Sequence, residues 1–172
     1  MPDLILGIDP GSRQTGYALA TFHGRRVLRV ELGVWSMVKS GDRSVSLADL
    51  ARQAESFLAC HSPGVAVVES LFHHKNVRSA LVLSEARGVL LAVFGKLGIP
   101  VAEYSPAVVK KTVSGNGRAD KTEVRRALTR TVPGIPAKSL EGLPEDATDA
   151  LAMAVCHRVH ETFEALTGGR GR

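Results

Sequence analysis

Four carboxylates in this sequence stand where stability alone explains them poorly: Asp9, Glu69, Asp146 and Asp149. Asp9 closes the apolar run Leu4-Ile5-Leu6-Gly7-Ile8, and Glu69 closes Val65-Ala66-Val67-Val68. Asp146 and Asp149 are three residues apart at the opening of the last amphipathic segment, so a helix puts them on one face. Acids converging to about 5 Å would repel by roughly 3 kcal/mol per pair at an effective dielectric near 20. Such a cluster persists with raised pKa values or with a bound cation. Carboxylate oxygens are hard donors that select Mg2+ or Mn2+, and two such ions can activate water and stabilise the leaving oxygen in phosphodiester cleavage. In that arrangement Asp9 would bridge two ions, with Glu69 on one flank and the Asp146/Asp149 face on the other. Taken singly, each acid has an ordinary reading as a turn starter, a strand rim or a partner of the helix dipole. The joint reading, a metal-dependent nuclease, requires a fold that brings them together.

Cationic and aromatic side chains accompany the acids. Leu-Phe-His-His-Lys-Asn-Val-Arg follows Glu69 almost directly, and Phe72, Lys75 and Arg78 suit a loop that stacks on an unpaired base and grips phosphates. A Phe72 packed on a neighbouring helix is the plain alternative. Lys110 and Lys111 form one basic pair, and Arg118, Lys121, Arg125 and Arg126 form a second group. Lys121 in a first helical turn opposes the helix dipole, which favours a functional reason over a solvated face. The chain carries 22 Lys and Arg against 17 Asp and Glu, a net charge of +5, so acids committed to cations would leave the remaining surface more basic. A polyanion is the natural partner.

These side chains need a scaffold, and 172 residues supply one domain, 1–166, with a Gly- and Arg-rich tail at 167–172 expected to be flexible. Strands are predicted at 4–8, 16–22 and 27–34, joined by short turns into an antiparallel meander. A helix is predicted over 45–59, a strand at 65–68, a long helix over 76–97 and a strand at 101–104. Ser105-Pro106 and Asp120-Lys121-Thr122-Glu123 read as helix starts, the second as a capping box. The last helix starts near 143–146 and runs to about 163. This order predicts an α/β fold, a five-stranded mixed sheet with helices on both faces.

The helix predicted at 76–97 is apolar nearly all round, with Ser84, Gly88 and Ala92 keeping one line small. One side can pack on the sheet while the other meets a second copy, which predicts a symmetric homodimer; burial under other helices of the same domain is the alternative. Cys60 and Cys156 have no CxxC spacing and read as reduced, buried thiols of a cytoplasmic protein. A zinc site at Cys156, His157 and His160 is disfavoured, because one turn of helix does not close a tetrahedral shell. No apolar run approaches the length of a membrane span, so no membrane partner is expected.

Four motifs in order give the pattern a name. Gly7-Ile8-Asp9-Pro10-Gly11 with Gly16, Val68-Glu69 with Phe72 and Lys75-Asn76, Ala86-Arg87-Gly88-Val89 with Tyr104-Ser105-Pro106 through Val109-Lys110, and Asp146-Ala147-Thr148-Asp149-Ala150-Leu151-Ala152 resemble the RuvC family of Holliday-junction resolvases. The resemblance implies an RNase H-like fold and a homodimer that nicks two symmetric strands of a four-way junction. It implies Asp9, Glu69, Asp146 and Asp149 as metal ligands, the position of Asp146 being one where some members carry His. It places Lys110 and Lys121 near the scissile phosphate and Phe72 near the exchange point, and it implies the branch-migration partners RuvA and RuvB. Three other readings stay open at this stage: a sugar-kinase-like ATPase domain, another nuclease of the same fold, and a catalytically silent junction binder.

Overall fold

The computed structural model describes residues 3–70, 77–135 and 140–168. Strands β1 (Asp3–Asp9), β2 (Gln14–His23) and β3 (Arg26–Ser36) form the meander, followed by helix α1 (Arg43–Cys60), strand β4 (Val65–Glu69), helix α2 (Val77–Lys96) and strand β5 (Val101–Tyr104). Helices α3 (Pro106–Ser114), α4 (Lys121–Thr131) and α5 (Glu145–Thr167) complete the chain. The sheet order is β3-β2-β1-β4-β5, antiparallel through β3, β2 and β1 and parallel from β1 through β4 to β5. The expected five-stranded mixed sheet is therefore present, with α1 and α2 on one face and α3, α4 and α5 on the other.

Local sequence explains the helix starts. Asp42 caps α1 by accepting from the Ser44 amide at 2.8 Å, and Ser105 caps α3 with Pro106 in the first turn. The expected capping box is complete: Asp120 accepts from the Glu123 amide at 2.8 Å, and the Glu123 carboxylate accepts from the Asp120 amide at 2.8 Å. Helix α5 has no side-chain cap and opens behind Pro144 with Glu145 and Asp146 in its first turn.

The strands run further than the apolar runs suggest. Asp9 pairs with Gly16, so Asp9 is the last residue of β1 rather than the first of a turn, and Glu69 likewise ends β4. Helix α5 extends past 163 to Thr167, where Gly168 in the left-handed region (φ 68°) ends it. The start of the expected tail is thus helical, and residues 169–172 lie outside the described set. Cys156 is buried as expected, whereas Cys60 is exposed. Cys60 is the last residue of α1, beyond the Leu50, Ala54, Leu58 stripe that the sheet covers.

Candidate active site

Side-chain alternation places the acids. Ile5, Gly7 and Asp9 share the face of β1 turned toward α5, and Val67 and Glu69 share that face on β4. Gly7 pairs with Val67, so Asp9 and Glu69 end neighbouring parallel strands on the same side. Helix α5 lies across these strand ends because β1 and β2 carry no side chains where it crosses. A Cβ on Gly7 would stand 1.9 Å from the Ala150 carbonyl oxygen, and one on Gly16 would stand 2.0 Å from the Asp146 carbonyl oxygen. Gly16 is also the ladder partner of Asp9. The glycine that admits the start of α5 thereby lies beside the acid that α5 must meet.

The result is a cleft of about 280 Å³ lined by Asp9, Glu69 and Asp149 together with Lys110 and Lys121, with Val109 and Met153 among its apolar walls. Burial pushes the Asp9 carboxyl up to about 8, and the charges of Asp149, Glu69 and Asp146 push the same way, while Lys121 opposes them. Lys121 donates to Glu145 at 2.9 Å and lies 3.2 Å from Asp149. The bond to Glu145 is the main cause that raises the Lys121 ammonium above its usual range, and Glu145 is lowered in return. Asp146 turns to β2, where Gln14 donates to its carboxylate at 2.6 Å.

These acids fit a hard divalent cation in donor type and in the negative potential they concentrate around Asp9. They do not form a closed shell: among the described residues no three His, Cys, Asp or Glu side chains are gathered tightly enough to hold an ion as they stand. Asp146 is held by Gln14 and Asp149 by Lys121 instead.

Other expected residues divide clearly. Arg125 borders an adjoining pocket of about 110 Å³ and donates to the Leu143 carbonyl at 3.2 Å and to Thr148 at 3.4 Å, so it braces the start of α5. Lys111 and Arg118 are exposed and do not line the cleft. The Gly115-Asn116-Gly117 turn before Arg118 is bonded: Asn116 accepts from the Arg118 amide at 3.0 Å. Phe72 and Lys75 lie outside the described residues, as does the side chain of Arg78. The disfavoured zinc reading finds no support, since His157 pairs with the Tyr104 hydroxyl at 3.0 Å and His160 with Thr112 at 3.3 Å.

Gln14 and Glu145 carried no expectation, because each gains its meaning from a residue far away in sequence. Arg87, in the Ala86-Arg87-Gly88-Val89 motif, bonds the Glu69 carbonyl at 3.2 Å and pairs with Glu103 at 2.6 Å, anchoring the end of β4.

The sheet order β3-β2-β1-β4-β5, with the carboxyl ends of the inner strands β1 and β4 meeting α5, is that of the RNase H-like resolvase fold. The family described as crossover junction endodeoxyribonuclease RuvC matches residues 5–157. The chain is 38% identical to the protein of that name from Sorangium cellulosum (strain So ce56), over 97% of this chain and 90% of the relative. It is 40% identical to the one from Anaeromyxobacter sp. (strain K), over 98% of this chain and 88% of the relative. Among solved structures, T. thermophilus RuvC in complex with a Holliday junction substrate superposes with a TM-score of 0.79 at 26% identity, covering 97% of both chains. The yeast mitochondrial Holliday junction resolvase Ydc2, at 17% identity and a TM-score of 0.69, covers 96% of this chain and 84% of its own, and shares the fold. This chain belongs to the RuvC family, whose nucleases are metal-dependent.

Proposed function

We propose that this chain resolves Holliday junctions by nicking two symmetric strands, leaving 5'-phosphate and 3'-hydroxyl ends, in recombination and DNA repair. The observation that carries this reading is the meeting of Asp9, Glu69 and Asp149 with Lys110 and Lys121 in one cleft. Asp9, Glu69 and Asp149, joined by Asp146, would hold two Mg2+ or Mn2+ ions. Bound there, the cations would supply an activated water and a stabilised leaving oxygen. The lysines do the rest of the electrostatic work: Lys110 and Lys121 line the same cleft as the acids and can receive the phosphate. The substrate-bound T. thermophilus structure supports a four-way junction as the DNA partner.

Phe72, Lys75, Arg78, Lys111, Arg118 and Arg125 complete the proposed DNA contacts, Arg125 from its bracing position. The expected homodimer would form through α2. Its Ala86, Leu90, Val93 and Phe94 pack inward, while Leu81, Glu85, Gly88 and Ala92 leave an exposed line of mostly small or apolar side chains at helical spacing. A second copy can lie close on Gly88, where a Cβ would meet nothing within 4 Å. RuvA and RuvB are the proposed motor partners and the cytoplasm the proposed compartment; among the described residues no helix is long and apolar enough to cross a membrane.

The test is cleavage of a mobile four-way junction against linear duplex, with Mg2+ or Mn2+ and both cut sites mapped. Asp9→Asn should bind the junction normally and lose cleavage by at least about 100-fold, because only cation placement changes. Near-normal nicking by that variant, or equal cutting of duplex, would reject the reading.

A further inference from the structure

Lys121 lies at the boundary of two cavities. Lys121 and Asp149 line both; Asp9 and Glu69 line only the larger, and Glu145 only the smaller. The ammonium is shared between Glu145 at 2.9 Å and Asp149 at 3.2 Å. Glu145 and Asp149 are four residues apart on α5, so they stand one above the other on a single helix face. Lys121 itself opens α4, where the capping box fixes its backbone.

We propose that Lys121 acts as a resident cation on Asp149, and that Glu145 is the positioning residue that draws it off when a divalent ion binds. The proposal rests on the reading of Asp149 as a cation ligand. An ammonium on a carboxylate and a divalent ion on the same carboxylate repel each other at short range. The lysine must therefore yield. Glu145 is already bonded to it, so the exchange breaks one contact and keeps the other, without moving either helix. Lys121 then stays at the rim, where a phosphate can reach it, rather than swinging into solvent. Without Glu145, the ion pair with Asp149 is what is left to it among the described residues, and lysine and metal compete directly. Glu145 and Lys121 are both exposed, so conservative substitution of either should leave folding intact.

Mn2+ binding to the DNA-free protein, read from the electron paramagnetic resonance signal of free Mn2+, tests this in a double-mutant cycle of wild type, Glu145→Gln, Lys121→Met and the double variant. Removing the competitor in Lys121→Met should tighten Mn2+ binding by about tenfold. Glu145→Gln should weaken it by about fivefold when Lys121 is present and by less than about twofold in the Lys121→Met background. Equal weakening in both backgrounds would mean that Glu145 acts only as a distant negative charge, and the proposal would fall while the acids remained a cation site. No Mn2+ binding by wild type, with junction cleavage intact, would remove both the proposal and the assignment of Asp149.

Discussion

The two faces of the sheet differ most where α5 crosses β1 and β2. On the α1/α2 face, side chains fill the gap: Tyr17 stacks on Trp35 with ring centroids 4.9 Å apart, Phe57 closes on Tyr17 at 4.8 Å, and Phe94 is wholly buried nearby. On the α5 face, glycine and alanine bring backbone against backbone, with Gly7 and Gly16 under Ala150 and Asp146, and Ala147, Ala150 and Ala154 buried along the helix. A filled face can repack, since rotamers and neighbours share any change. Where α5 crosses Gly7 and Gly16 there is no such slack, although Ile5, Phe22 and Val67 fill the rest of that face. The crossing fixes the height and rotation of α5, and those two quantities decide whether Asp146 and Asp149 reach the strand-end acids.

The sharpest way to break this contrast is Gly16→Ala. Its Cβ would fall 2.0 Å from the Asp146 carbonyl oxygen and 2.2 Å from the carbonyl carbon, both backbone atoms. We expect a loss of about 4 kcal/mol or more in urea denaturation, and no junction cleavage even in molecules that remain folded. A loss under about 1 kcal/mol would show that α5 has slack after all. On the opposite face, Phe94→Ala should cost about 3–4 kcal/mol through its cavity, yet leave Mn2+ affinity unchanged at a temperature where the variant is folded. A tenfold loss of Mn2+ affinity there would erase the distinction between the faces.

This contrast also explains what could be read in advance. The apolar runs ending at Asp9 and Glu69 announce buried strands and the acids at their tips, and the Asp146–Asp149 interval announces a shared helix face. Local rules suffice there, as they do for the capping box at Asp120 and Glu123. They do not suffice for Gly16, whose role depends on a helix about 130 residues later in the chain. Gln14 and Glu145 were silent for the same reason. A polar side chain near a turn and an acid in a first helical turn both have satisfactory local explanations, and only the packing of α5 on β2 and beside α4 gives them partners. The Lys121 signal, a cation on the wrong end of a helix, was legible because it conflicted with a local rule.

The α5 face also makes a pH prediction. Asp9 is held up to about 8 in the cation-free protein against an ordinary value of 3.8, so folding binds a proton there. That stabilisation is complete below about pH 4 and is lost as pH rises toward and through about 8. Asp9→Asn removes the charged form. Without cations it should therefore be more stable than wild type by about 2 kcal/mol at pH 9, the coupled acids sharing the remaining effect, and the difference should vanish near pH 4. Saturating Mn2+ should reverse the order at pH 8, because wild type gains binding energy that the variant lacks. Thermal denaturation across pH 4–9, with and without Mn2+, would show it; parallel curves for the two proteins would contradict the crowding of acids around Asp9.

The smallest expected effect separates the two acids of α5, which are held by different kinds of partner. Asp149 bears the ammonium of Lys121, a charge that the proposed metal would have to displace, whereas Asp146 bears the neutral amide of Gln14 at 2.6 Å. An amide does not repel a cation. It can occupy one carboxylate oxygen and leave the other aimed, as hydrogen-bond partners of metal ligands do. Gln14→Ala should therefore weaken Mn2+ binding by about tenfold, or about 1.4 kcal/mol, by freeing Asp146 to rotate, with folding stability changed by less than 1 kcal/mol. Lys121→Met moves affinity the opposite way. If Gln14→Ala instead tightens binding, the amide competes for the same oxygen, and both acids on α5 must release a partner before the site can fill.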